Sequence, residues 1–76
     1  MSEKIRASAL EQMRGKRPDE LVSLRLRITT PLVEEADLLT AWGGTLFFDS
    51  GIMAIVSVPV GRVNDIAEWE AVLDII

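Results

Sequence analysis

The 76-residue chain contains no cysteine, no histidine and no tyrosine. The first absence removes disulfides, thiol nucleophiles and thiolate metal sites. The second removes the side chain best suited to general-base work near neutrality, the commonest transition-metal ligand and every serine–histidine dyad. Carboxylates, hydroxyls, lysines and arginines remain, on a scaffold small for enclosing a pocket. We therefore expect a protein that is not an enzyme, with no catalytic residues, no metal site and no cofactor. Long apolar runs are also missing. The longest, Ile52 to Val56, is five residues, against the roughly 20 that a membrane helix needs. The N-terminal residues hold no apolar stretch of signal-peptide type, so neither a signal peptide nor a membrane span is read, and a cytoplasmic location is expected.

What is present favours folding. Hydrophobic residues make up 49% of the chain and charged residues 26%, whereas disordered segments are poor in the first and rich in the second. A single domain of this size buries only about 60% of the surface that its unfolded chain exposes, which gives a partner or a second copy leverage over its stability. The net charge of −4 is unevenly spread. Residues 1–27 hold seven basic groups against four acidic ones, a net +3, and residues 28–76 hold Arg62 alone against eight carboxylates, a net −7. Such an asymmetry steers a partner or draws the two halves together on folding. Because the total is acidic, nucleic acid is not the expected partner.

Residues 3–14, EKIRASALEQMR, carry Ile5, Ala9, Leu10 and Met13 at spacings that predict a short amphipathic helix. Gly15 and Pro18 end it. From Leu21 the pattern alternates, with Val22, Leu24, Leu26 and Ile28 on one side and Ser23, Arg25 and Arg27 on the other, a strand with one buried face. Thr30-Pro31 predicts a helix start, a cap followed by proline at the first helical position, and Gly43-Gly44 predicts its end. Leu32, Val33, Ala36 and Leu39 share the inner side of that helix, widened by Leu38 and Trp42. TLFFD at 45–49 and IMAIVSV at 52–58 predict a hairpin turning at Asp49-Ser50-Gly51. Pro59 halts the second arm, and Gly61 caps a short helix carrying Val63, Ile66 and Ala67, which Trp69 closes onto the core. VLDII at 72–76 is an edge strand.

This order predicts an α+β fold, the ferredoxin-like split β-α-β-β-α-β sandwich: a four-stranded antiparallel-type sheet, two helices on one face, and the short leading helix. A right-handed crossover between the first and third strands is expected, with the second and fourth outside. The other sheet face is then bare. Ser23, Arg25 and Arg27 line it from the first strand. In the third, inward Ile52, Ala54, Val56 and Val58 leave Met53, Ile55 and Ser57 on it, and the same alternation puts Phe47 there rather than Leu46 or Phe48. Phe47, Met53 and Ile55 beside two arginines have the residue bias of a protein interface; scattered single apolar exposures are the competing account. The third strand offers no aromatic platform for RNA bases. A small-ligand sensor would want a glycine-rich phosphate loop, whereas Gly43-Gly44 is better explained as a helix stop.

Residues 20–76, ELVSLRLRITTPLVEEADLLTAWGGTLFFDSGIMAIVSVPVGRVNDIAEWEAVLDII, run through a strand at Leu21 to Ile28, a helix ending at Trp42-Gly43-Gly44-Thr45 and a hairpin at Ser50-Gly51. A Val58-Pro59-Val60 step, a short helix with Val63 and Ile66, and a last strand from Val72 follow. In this order the chain resembles the inhibitor-type N-terminal propeptide of subtilisin-like serine proteases, and Pro18-Asp19-Glu20-Leu21-Val22 is similar to the lead-in of some bacterial members.

The resemblance implies a leading helix and linker at 1–18, a propeptide-like domain at 19–76, and a subtilisin-like serine protease as partner. Members of that family act as inhibitors and intramolecular folding chaperones; their bare sheet face packs on two surface helices of the protease, and the tail after the last strand lies in the substrate cleft. Carried onto this chain, Arg25, Arg27, Phe47, Met53 and Ile55 are the partner-binding residues of the face, and Ile75 and Ile76 those of the tail. No protease domain follows within these residues and the tail is short, so action in trans or separation from a larger protein is expected, with the face carrying the binding. The reading from another class is an assembly module that forms a homodimer, or binds another protein, through the same face without inhibiting a protease.

Overall fold

The computed structural model describes residues 3–76. It is an α+β structure with a four-stranded antiparallel sheet and three helices. The elements run α1 (Ala7–Met13), β1 (Leu21–Ile28), α2 (Glu35–Ala41), β2 (Thr45–Asp49), β3 (Met53–Pro59), a 3₁₀ turn (Val60–Arg62), α3 (Val63–Ala67) and β4 (Val72–Ile75). The strand order is β2-β3-β1-β4, and each neighbouring pair is antiparallel.

Alternation in β1 decides the layering. Val22, Leu24, Leu26 and Ile28 are buried while the residues between them are exposed, and their β3 neighbours Val58, Val56 and Ala54 are buried with them. Leu39 of α2 and Val63, Ile66 and Ala67 of α3 join these residues in one hydrophobic cluster. One sheet face is thus covered and the other is not. β1 and β3 are antiparallel neighbours, so the crossover expected between them is absent, because a crossover joins parallel strands. It is α2 that carries the chain across, from β1 to β2, with β3 lying between the two.

Two glycines let the turns close. Gly43 adopts φ +84°; its N–H donates to the Thr40 carbonyl at 3.0 Å and that of Gly44 to the Leu39 carbonyl at 2.8 Å. This pair of bonds satisfies carbonyls left over at the helix end. A Cβ on Gly44 would run into the Ser57 carbonyl, so only glycine lets the end of α2 press this closely on β3.

Asp49 ties two loops together. Its Oδ1 accepts from the Gly51 N–H at 2.8 Å inside the hairpin, and its Oδ2 accepts from the Leu32 N–H at 2.7 Å in the loop after β1. α2 begins at Glu35 and not at Pro31, and the second bond anchors the loop between them. Leu32 reaches the core from a loop whose backbone is already engaged, and Val33 is left 76% exposed instead of facing inward. Ile52 is also corrected: it belongs to the hairpin turn before β3 and is exposed.

Ile5 is not helical. It bridges Ile75 in parallel, with the Arg6 N–H donating to the Ile75 carbonyl at 2.9 Å and the Ile75 N–H to the Lys4 carbonyl at 2.7 Å. α1 follows, and its Ala9 is buried in the common core. Trp69 packs against that core and stacks on Trp42, ring centroids 5.8 Å apart, with the Arg62 guanidinium 5.0 Å from the Trp42 ring.

Leu26 is fully buried at the centre of this arrangement. Truncation to Leu26→Ala is expected to cost about 2–5 kcal/mol in urea unfolding, as a cavity in a core. On the opposite face of the same strand, Arg25→Ala is expected to cost less than about 1 kcal/mol. The reverse ranking would contradict the layering.

Candidate functional site

Residues paired across antiparallel strands share a face. Pairing of β1 with β3 sets Ser23 beside Ser57, Arg25 beside Ile55 and Arg27 beside Met53. From β2, Thr45 joins Ser57 and Phe48 joins Ile55. On the far side Asp74 pairs with Arg27, and Ile76 exchanges backbone hydrogen bonds with Arg25, its N–H donating at 2.7 Å and its carbonyl accepting at 3.4 Å. Three rows therefore cross the uncovered face: Thr45, Ser57 and Ser23; Phe48, Ile55, Arg25 and Ile76; Met53, Arg27 and Asp74. The middle row is apolar except for Arg25.

Arg25, Arg27, Met53, Ile55 and Ile76 stand together on this face. Phe47 has no single partner of its own on β3. The register shifts between Leu46 and Phe48, so Phe47 is the extra residue of a bulge, and Phe48, expected to point inward, is the one that pairs with Ile55. Both rings are exposed. Ile75 is a second correction: it pairs with Leu26 and is fully buried, so it belongs to the core and not to a tail.

Asp74 is the buried charged residue among the described residues. Arg27 grips it with two parallel hydrogen bonds, Nε to Oδ1 at 2.8 Å and Nη2 to Oδ2 at 2.6 Å, the fork geometry that makes arginine–carboxylate pairs strong. Arg6 adds a longer contact from Nε to Oδ2 at 3.4 Å. The hydrogen bond from Arg27 chiefly holds the Asp74 carboxyl below its ordinary value of 3.8, against burial, which pushes it up. The same bond raises the Arg27 guanidinium. Arg25 has no side-chain hydrogen bond or ion pair among the described residues. Three arginines against one carboxylate leave the face positive on a chain of net −4.

Beside Arg25 lies a groove of about 300 Å³, lined by Ser8 and Gln12 of α1 and by Ser23, Leu24, Arg25, Ile55 and Ile76 of the sheet. α1 thus forms a raised rim at one side of the open face. A separate depression of about 400 Å³ holds Glu35 and Glu70 near Thr29, Thr30 and Trp69. Among the described residues no group of three or more aspartate, glutamate, histidine or cysteine side chains is placed to hold a metal ion, and no helix is long and apolar enough to cross a membrane.

Sequence reasoning missed Asp74 and Phe48. A signal for Asp74 existed: it is the single charge in VLDII, and an edge strand pairing with an arginine-bearing face places opposite charges across from one another. Nothing in TLFFD marks the bulge that sets Phe48 opposite Ile55. Comparison of the chain with protein-family models, with curated proteins and with solved structures gives no match.

A carboxyl whose native pKa lies below its unfolded value adds stability that is complete above the unfolded value and is lost as pH falls through the native one. Wild-type protein is therefore expected to lose stability below its ordinary 3.8. Asp74→Asn is expected to be less stable than wild type in urea at about pH 7, with the difference shrinking as pH falls below 3.8 toward the native value. A constant difference across that range would show that Asp74 acts through packing and not through charge.

Proposed function

We propose that this chain is a non-catalytic protein-binding module of ferredoxin-like arrangement, which docks on a subtilisin-like serine protease through the uncovered face of its sheet and acts as its inhibitor or folding chaperone. The observation that carries the reading is the row Phe48, Ile55, Arg25 and Ile76, apolar side chains set around an arginine on a face with no helix over it. Grouped apolar exposure of this kind, with aromatic and arginine anchors, is the composition of a docking surface.

Two further features support it. The order β2-β3-β1-β4, with α2 linking β1 to a strand once removed, is the order that a split β-α-β pattern demands. The propeptide resemblance requires the same bare face, presented to surface helices of the protease. Burial of Ile75 in the core leaves Ile76 as the one tail residue of the pair free to touch a partner, so the face carries the affinity. Inhibition is what the propeptide resemblance implies for an active protease once the module is docked. Chaperoning follows because a ligand that binds only the folded protease stabilises it by mass action.

Titration against active subtilisin is expected to show inhibition by the intact protein. Ile55→Glu and Met53→Glu are each expected to weaken it roughly thirtyfold or more, about 2 kcal/mol, by placing a charge in a desolvated anchor. Free-state stability should change by less than about 1 kcal/mol, since both side chains are only half-buried. Undiminished inhibition by both variants, each folded by circular dichroism, would overturn docking by the sheet face.

A further inference from the structure

We propose that the partner seated on this face presents a carboxylate, from an aspartate or glutamate side chain, to the groove beside α1, where Arg25 receives it. The inference rests on the docking reading above and gives it a chemistry.

Arg25 and Arg27 stand two residues apart on the same side of β1, and they differ in what occupies them. Arg27 is held in a bidentate pair with Asp74. Arg25 has no side-chain partner among the described residues, yet it stands between Ile55 and Ile76 in the row that docking would cover. An apolar surface laid over Ile55 and Ile76 would strip water from the guanidinium and give it no acceptor, a costly exchange. A partner that buries this row therefore has to bring an acceptor of its own, and a carboxylate matches the guanidinium fork best.

The surroundings suit the same group. Ser8, Gln12 and Ser23 line the groove with Arg25 and offer hydroxyl and amide donors, none of them engaged in a side-chain hydrogen bond among the described residues. At about 300 Å³ the groove has room for a whole acidic side chain. Charge argues against a second copy of this chain as the occupant. Arg6, Arg25 and Arg27 outnumber Asp74 on the face, and Asp74 is already taken, so two copies face to face would oppose like charges with no free carboxylate between them.

Two measurements test the proposal separately from the docking reading. The free protein is titrated with the acetylated, amidated tripeptide Leu-Glu-Leu and with its Leu-Gln-Leu counterpart, observing by NMR the Arg25 Nε–H and the amides of Ser8, Gln12, Ser23 and Ile76. The glutamate peptide is expected to shift these resonances, the glutamine peptide much less, and Arg25→Gln is expected to remove the difference; equal responses, or none, would overturn the proposal. In the second measurement the complex with subtilisin is formed at low and at high salt. Arg25→Glu is expected to lose thirtyfold or more in affinity, with a flatter salt dependence, and Arg25→Lys less. Unchanged affinity in Arg25→Glu beside a loss in Ile55→Glu would refute the carboxylate while leaving sheet docking intact. If wild-type protein does not bind subtilisin at all, the docking reading fails and the peptide titration alone decides the groove. A concentration-dependent dimer abolished by Ile55→Glu would assign the face to a second copy and overturn the proposal.

Discussion

β1 is the strand to which every other part of the fold is referred. β3 pairs with it from Leu21 to Arg27, β4 with its second half, and the bridge at Ile5 extends the sheet beyond β4. Its four inward side chains are the floor under α2 and α3. In a domain this small there is no second layer of core to absorb an error. A slip of one residue would bring three polar side chains, Ser23, Arg25 and Arg27, into the one core cluster of the described residues. The same constraint leaves the open face, since among the described residues α2 and α3 both pack on the inward side of the sheet.

Charge is used locally in most of the molecule. Arg14 with Glu11, Arg17 with Asp19 and Glu20, and Arg62 with Asp65 are exposed pairs between sequence neighbours, each of a kind that contributes little. Asp74 differs. It gathers Arg6 and Arg27 from the basic third of the chain onto the last strand, and it is through this carboxylate that the two oppositely charged parts of the sequence meet. Of the two arginines on the β1 face, one is thereby fixed inside the protein's own network and the other is left for something else.

Much of this architecture is legible in the residues. The alternation from Val22 to Ile28, the Gly43-Gly44 stop and the Asp49-Ser50-Gly51 turn each depend on a local rule, and each is found where that rule puts it. What is not legible depends on contacts distant in sequence. Thr30-Pro31 reads as a helix start, whereas residues 31–34 form a loop that the Asp49 carboxylate, 17 residues on, anchors at the Leu32 N–H. Ile5 fits a helical period until Ile75 offers it a sheet edge. The face itself follows from period two, but one bulge breaks that period and sets Phe48 opposite Ile55, and Ile75 moves from candidate anchor to core because the partner strand, not the segment alone, decides which way an edge residue points.

The bridge between Ile5 and Ile75 also orders the assembly of the protein in time. Taken alone it closes a loop of nearly the whole chain, the least favourable kind of contact to make first. Once β4 has settled beside β1, however, Ile5 is tethered to its docking place only by the short segment that leads into β1, and the closure becomes cheap. The N-terminal segment is thus bound to arrive last and to leave first. Its departure would expose the backbone edge of β4 while the β1–β3 pairing and its floor of side chains stay whole, so amide protons of Arg6 and Ile75 should exchange with solvent through a smaller opening than those of Leu24 and Val56.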